Sequence, residues 1–134
     1  TSADINAIPD DKWTSTFGGV STSAMDAARD AVNLLLWATE TIKGGTGASM
    51  EGLSVDCSTK ANAVAALASA GEGFCAALAA ASDETLNTIA TPPWQMPAPI
   101  FMLAQIAVSH VWYHDGQLNY IQMLLGDEKV HWLG

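Results

Sequence analysis

Three segments of the chain carry hydrophobic residues at helical spacing. In residues 23–43 the apolar side chains recur every three to four positions and form one stripe: Ala27, Ala31, Leu34, Leu35, Ala38 and Ile42. Ser23 and Asp26 resemble a capping box before the stripe, and Gly44–Gly45 follow it as a stop signal. The pattern predicts an amphipathic helix at about 23–43. Its outward side chains are expected to be Arg29, Asn33, Glu40 and Lys43.

Residues 59–82 predict a second helix, rich in alanine. Its larger side chains share one side with Gly71, and they are Val64, Leu67, Phe74 and Leu78. Gly71 and Gly73 each weaken a helix by about 1 kcal/mol relative to Ala. Close packing against a neighbouring helix is the expected reason for both glycines.

A third long helix is predicted from Pro99, in its first turn, to about Leu125, with Gly126 just past its end. The proline-rich residues 83–98 cannot continue a helix and predict a long crossover. Bundle topology explains such a connection better than a functional lid does. With no convincing strand, the sequence predicts an all-α fold.

Length and charge limit the remaining interpretations. A chain of 134 residues predicts one domain spanning 1–134, and a net charge of −9 argues against nucleic acid and anionic membranes as partners. The longest apolar run, Ala61–Ala70, is too short to cross a bilayer. The amino-terminal residues lack the pattern of a secretory signal, so the expected location is the cytoplasm.

The two cysteines show no metal or redox spacing. Cys57 is expected to be a loop thiol and Cys75 a buried helix thiol. A catalytic Cys75 stays open as an alternative, although no base is visible beside it.

His110 and His114 lie four residues apart, on the apolar side of the last helix. The residues on this side are Leu103, Ile106, Ala107, His110, His114, Gln117, Leu118, Ile121 and Leu124. Asp115, Asn119 and Gln122 are expected to face solvent, and Trp112 faces outward. Histidines at i and i+4 can offer two nitrogen ligands to a divalent metal, yet two hydrogen-bonded core histidines would share the same spacing.

A metal site would need a ligand from another helix, and Asp30 is the candidate. It lies near the edge of the stripe in residues 23–43, where a carboxylate suits a divalent ion. A solvated helix carboxylate would have the same pattern. Glu72 is expected to face solvent, His131 to pack near the terminus, and Tyr113 to border the core and donate a hydrogen bond toward the site.

Two segments resemble the DinB-like superfamily of bacterial helical bundles. "HVWYHDGQLNYIQMLLGD" is similar to the final metal-binding helix of these proteins, and "STSAMDAARDAVNLLLWA" to the earlier helix that carries a ligand. The resemblance implies an up-down-down-up four-helix bundle. It implies His110 and His114 as ligands, and Asp30 at a position that usually holds histidine. The implied cofactor is a divalent metal, zinc or nickel first, with manganese and iron as alternatives.

The resemblance also implies a function and an assembly. The family's first helix is largely missing here, with residues 2–8 as its last turn, and a homodimer is expected. Gln117 would orient a ligand ring or water. The expected function is metal-dependent transfer to a thiol, or hydrolysis or isomerisation of a small molecule. A non-catalytic dimerising or small-molecule-binding bundle is the alternative. Metalloprotease chemistry is disfavoured because no glutamate follows His110.

Overall fold

The computed structural model describes residues 1–44 and 46–131 and is an all-α bundle of three long helices. These are α2 (Ala24–Gly44), α3 (Lys60–Ala80) and α5 (Ile100–Leu124). All three lie within two residues of the predicted bounds. Gly45, the second residue of the predicted stop signal, lies outside the described residues.

Shorter elements connect and flank the bundle. They are α1 (Ser2–Ala7), a 3₁₀ turn (Asp10–Lys12), α4 (Asp83–Asn87), β1 (Ile89–Ala90) and β2 (Ala98–Pro99). The two strands pair antiparallel, Ile89 with Pro99 and Ala90 with Ala98. The expectation of no strand is therefore wrong at this point: the prolines prevent a helix, and the short pairing satisfies backbone groups of the crossover instead.

The capping signals act at the helix ends where they were predicted. Ser23 Oγ accepts a hydrogen bond from the Asp26 amide at 3.1 Å and donates one to Asp26 Oδ2 at 2.7 Å. After α5, Gly126 has φ of 87°. Its amide donates to the carbonyl of Met123, and the Asp127 amide donates to that of Gln122. This is a Schellman ending, which relies on glycine because L side chains disfavour positive φ.

The core contacts fix the helix directions. Ala27, early in α2, belongs to the same buried cluster as Leu118, late in α5. Leu35, late in α2, shares the other buried cluster with Leu103, early in α5, so the two helices are antiparallel. By the same contacts α2 and α3 are parallel.

The short α1 packs on α3 and α5. Thr1 contacts Asp115 and Asp4 contacts Gln122, so the six-residue α1 runs parallel to α5. The helix directions therefore follow the up-down-down-up order that the resemblance implied, with the short α1 in the first position.

Two apolar clusters fill the interior, one at each end of the bundle. One contains Trp37, Phe74 and Leu103, and the other contains Ile8 and Leu118. On α5, the stretch between Ala107 and Leu118 carries both predicted metal-binding histidines. The two histidines therefore lie at the boundary between the two apolar clusters.

The helical wheel of α5 misplaced several side chains. Gln122, expected in solvent, is only 2% exposed, and its Nε2 donates to the carbonyl and carboxylate of the buried Asp4 at 3.3 and 3.4 Å. Ile106 and Leu124, expected in the core, are exposed. Gln122 is buried because α1 covers a face of α5 that periodicity alone leaves to solvent. Trp112 does face outward, as predicted.

The alanine-rich α3 corrects one expectation and leaves another untested. By length and composition alone, Lys60–Ala80 is long and apolar enough to cross a membrane, although the shorter run Ala61–Ala70 is not. Its apolar character comes mostly from alanine, and in this fold it packs along α2. Close packing does not explain its glycines, because no heavy atom lies within 4 Å of a Cβ built at Gly71 or Gly73.

Replacing Gly73 by Ala is therefore expected to raise the free energy of unfolding by about 0.5–1 kcal/mol, since alanine loses less backbone entropy in a helix. Urea denaturation measures the change. Gly47→Ala serves as a control of opposite sign, because its Cβ would meet the Thr91 carbonyl. A loss of stability in the Gly73 variant would contradict this account of α3.

Candidate metal centre

The antiparallel packing of α2 and α5 brings Asp30 opposite His110 and His114. His114 is 5% exposed, His110 is half-buried, and the Asp30 side chain is 57% exposed. The site therefore lies where the interior opens to solvent. Asp30 is both an exposed helix carboxylate and a residue directed at the two imidazole rings. The two interpretations from the sequence, a solvated carboxylate and a metal ligand, are therefore compatible.

The three groups are in direct contact. Asp30 Oδ2 lies 3.1 Å from His114 Nε2 and 3.5 Å from His110 Nε2, and the two ring nitrogens are 2.9 Å apart. Their ligand atoms all lie within 4.8 Å of one another. The predicted convergence of Asp30, His110 and His114 is thus present in the structure.

Gln117 orients the buried ring of His114. The Gln117 Oε1 lies 2.7 Å from His114 Nδ1, and its Nε2 donates to the Tyr113 hydroxyl at 3.0 Å. With the amide in this orientation, Nδ1 carries the ring proton and Nε2 presents a lone pair toward Asp30 and His110. This is the tautomer that a metal requires from His114.

Tyr113 acts differently from its prediction. It is 61% exposed, and its hydroxyl accepts the hydrogen bond of Gln117 rather than donating toward the site. Its ring meets that of His114 edge to face, with centroids 5.1 Å apart. Tyr113 therefore supports His114 from the solvent side, through Gln117 and through ring contact.

The surroundings of His110 favour its neutral form. Burial lowers the pKa of His110, and positive charge on His114 acts in the same direction, while Asp30 opposes both through its charge and hydrogen bond. The outcome is a pKa below the ordinary value of 6.5. A neutral ring has a lone pair to offer, so His110 is ready to act as a ligand near pH 7.

These distances fit a shared divalent ion. Ligand atoms held about 2.1 Å from one ion lie about 3.0–3.4 Å apart in octahedral or tetrahedral geometry, close to the spacings seen here. With the proton of His114 on Nδ1, its Nε2 and the Asp30 carboxylate are two acceptors in contact, which need a proton or a cation between them. The group could therefore hold a metal.

A polar cavity of about 360 Å³ opens beside the group. Asp30 and His114 line it together with Thr22, Asp26, Arg29 and Asn33. Arg29 and Asn33 were expected to face away from the core, and both are partly buried where they line this cavity. The crossover at 83–98 contributes none of these lining residues, which favours its topological interpretation over a lid.

Other candidate residues stay apart from the group. Glu72 is exposed, as predicted, and His131 bonds to Asp127 at 2.7 Å near the end of the described chain. Cys57 lies in a loop, as predicted, and its thiol is buried, which raises its pKa. Cys75 lies on a helix, as predicted, but the expectation that it is buried is wrong, because it is exposed on α3.

Comparison with solved structures supports the predicted fold. The chain is similar to a DinB-like protein, YjoA, from Bacillus subtilis, with a TM-score of 0.76, 17% sequence identity, and coverage of 96% of this chain and 85% of that one. No family model and no curated protein sequence matches it. The likeness confirms the DinB-like fold, an all-α bundle.

Replacing Asp30 by Asn is expected to lower the pKa of His110 further in the metal-free protein, because the carboxylate stabilises the charged ring. An NMR titration of the ring protons measures this pKa. Glu40→Gln, which removes an exposed carboxylate from the same helix, should leave it unchanged. An unchanged or raised pKa in the Asp30 variant would show that the contact is absent in solution.

Proposed function

We propose that this chain, which has the DinB-like fold, binds one divalent metal ion through Asp30, His110 and His114 and uses it in a reaction of a small molecule. The observation that carries the proposal is the convergence of three ligand atoms from two helices, all within 4.8 Å, beside an open cavity. Isolated acidic groups are common on protein surfaces. Two imidazoles directed at the same carboxylate are not explained by solvation.

Each ligand residue would have a distinct role at the metal. Asp30 neutralises one of the two positive charges and comes from the exposed side, while His114 is fixed by Gln117 from the interior. His110, neutral at pH 7, completes the set. When bound, such an ion supplies a Lewis acid that lowers the pKa of a coordinated water or thiol.

Three protein ligands leave room for exogenous groups, which is the arrangement of catalytic rather than structural metal sites. Two imidazoles and a carboxylate suit several metals, so zinc and nickel are proposed first and manganese and iron as alternatives. The proposed reaction class is transfer to a thiol, or hydrolysis or isomerisation. It is supported by the open cavity at the ligands and by the likeness in fold to a DinB-like protein.

A second candidate is a non-catalytic bundle that binds small molecules or forms a homodimer. Trp112, 75% exposed on α5, favours it together with the exposed Val108 one turn earlier, because adjoining apolar side chains in solvent can mark an interaction surface. A cavity of about 620 Å³ beside Trp112 is larger than the polar one, and none of its lining residues belongs to the metal-binding group. This candidate expects protein that stays free of metal.

Purified protein is expected to bind one zinc or nickel ion per chain, measured by elemental analysis after dialysis, and to lose it in the His110→Ala/His114→Ala variant. Asp30→Ala should weaken binding, since the third ligand is removed. The matched control is His131→Ala, whose ring bonds only to Asp127 among the described residues. Protein that remains free of metal after supplementation with all four ions would favour the non-catalytic bundle.

Gln117→Ala is expected to lower metal affinity by about 10–100-fold, the usual effect of losing the group that orients a ligand histidine. Competition with a chelating dye measures the affinity. Gln105→Ala removes an exposed glutamine from the same helix and should have no effect. Equal affinities for the two variants would mean that Gln117 does not position His114.

A further inference from the structure

Arg29 is the only arginine in the sequence, and it lines the polar cavity beside Asp30 and His114. Its guanidinium is paired with Asp26, one turn earlier on α2. Ion pairs as exposed as this one contribute little to stability. Arg29 at the mouth of the proposed metal centre is therefore available to a ligand at little cost in stability.

The structure holds Arg29 in place through the helix cap. Asp26 is itself fixed by two hydrogen bonds with Ser23, at 2.7 and 3.1 Å, so the carboxylate that receives the guanidinium is anchored. Only one nitrogen of Arg29, Nη2, is engaged by Asp26. A guanidinium has five N–H donors, and the remaining ones can form the forked pair that matches a carboxylate.

Asn33 gives an independent indication of a ligand in the same cavity. Its Oδ1 is buried and has no hydrogen-bond partner in the part of the chain that the structure describes. Buried polar atoms are normally paired by protein, water or ligand. Rotation of the side-chain amide by 180° would bring Nδ2 to the place of Oδ1, where its N–H can donate to a carboxylate in the cavity. Arg29 and Asn33 lie one turn apart on α2 and line the cavity together.

The charge balance favours a monoanion. Arg29 and Asp26 cancel one another, and a divalent ion on Asp30 leaves one positive charge. The chain as a whole carries −9, so an anion would be repelled by the rest of the surface. One carboxylate would neutralise this local charge and match the planar guanidinium.

A second cavity extends the site on its apolar side. It measures about 420 Å³ and is lined by Tyr113, Tyr120 and Ile121, among others. Thr22 lines both cavities, so they adjoin. A molecule that enters the polar cavity with a charged group can therefore rest an apolar part on the two tyrosines.

We propose that the site takes a small monocarboxylate with an apolar or aromatic body, whose carboxylate pairs with Arg29 and whose body lies on the Tyr113 and Tyr120 side. This inference rests on the proposed metal centre for its charge balance. Arg29 is the residue that determines the specificity for the carboxylate, and Asn33 supplies a further polar contact.

Phenylacetate is a suitable probe, because it joins a carboxylate to an aromatic ring. Phenylacetamide has the same shape without the charge, and acetate lacks the ring. Binding of each is measured by NMR titration of metal-free and zinc-treated protein. The variants are Arg29→Gln, Tyr120→Ala and, as the matched control, Lys43→Gln, which removes a cation from another i,i+3 ion pair on α2, with Glu40.

Arg29→Gln is expected to weaken phenylacetate binding by about tenfold, the loss of one charge-assisted hydrogen bond, and to leave phenylacetamide unchanged. Lys43→Gln should bind phenylacetate like the wild type. Tyr120→Ala should weaken phenylacetate and not acetate. Together these results would support both halves of the proposed site.

Equal phenylacetate affinity in the Arg29→Gln and wild-type proteins, or no binding by the wild type, would overturn the inference even if zinc binds. Zinc content is measured on the same sample by elemental analysis. If no zinc is bound while the dependence on Arg29 persists, the metal proposal and the charge balance built on it fail, and the contact between Arg29 and the carboxylate stands. The two proposals can thus fail separately.

Discussion

The contact between one carboxylate of α2 and two imidazoles of α5 is the interaction on which the polar part of this structure depends. Three groups rich in lone pairs lie 2.9–3.5 Å apart between two apolar clusters. His114 is nearly buried, and a buried polar group is costly unless it is paired. Gln117 satisfies one ring nitrogen, and the opposite nitrogen depends on Asp30 and on whatever cation or proton lies between them.

The directions of the helices make this contact available. Because α2 and α5 are antiparallel, residues near the middle of one meet residues near the middle of the other. Parallel α2 and α3 need a long connection, and residues 46–59 supply it. The bundle thus keeps α2 beside α5. Asp30 and the two histidines lie between the two apolar clusters.

The electrostatics of the chain are uneven. Its overall charge of −9 is spread over the surface, while the only arginine lies next to the group that could hold a metal. An anionic protein that is to bind an anionic small molecule needs a local source of positive charge. Arg29, and the ion proposed on Asp30, His110 and His114, would together provide it.

The sequence by itself determined the three long helices and the direction of the key side chains within them. Helical periodicity and capping residues such as Ser23 and Gly126 act over one or two turns, so the three long helices were predicted within two residues. The same local geometry put His110 and His114 on one face. Asp30 became a candidate through its place on the stripe, and the family resemblance indicated which two helices meet.

Only the tertiary structure decided what each outward face meets. A helical wheel gives the direction of a side chain from its own axis, but it does not say which neighbour covers that direction. Gln122 is buried because α1 lies over it, while Arg29 and Asn33 are partly buried where they line a cavity. Most side chains of α3 are alanine, so a helical wheel does not distinguish its buried face from its exposed face. The exposure of Cys75 and the open space at Gly73 therefore followed from packing alone.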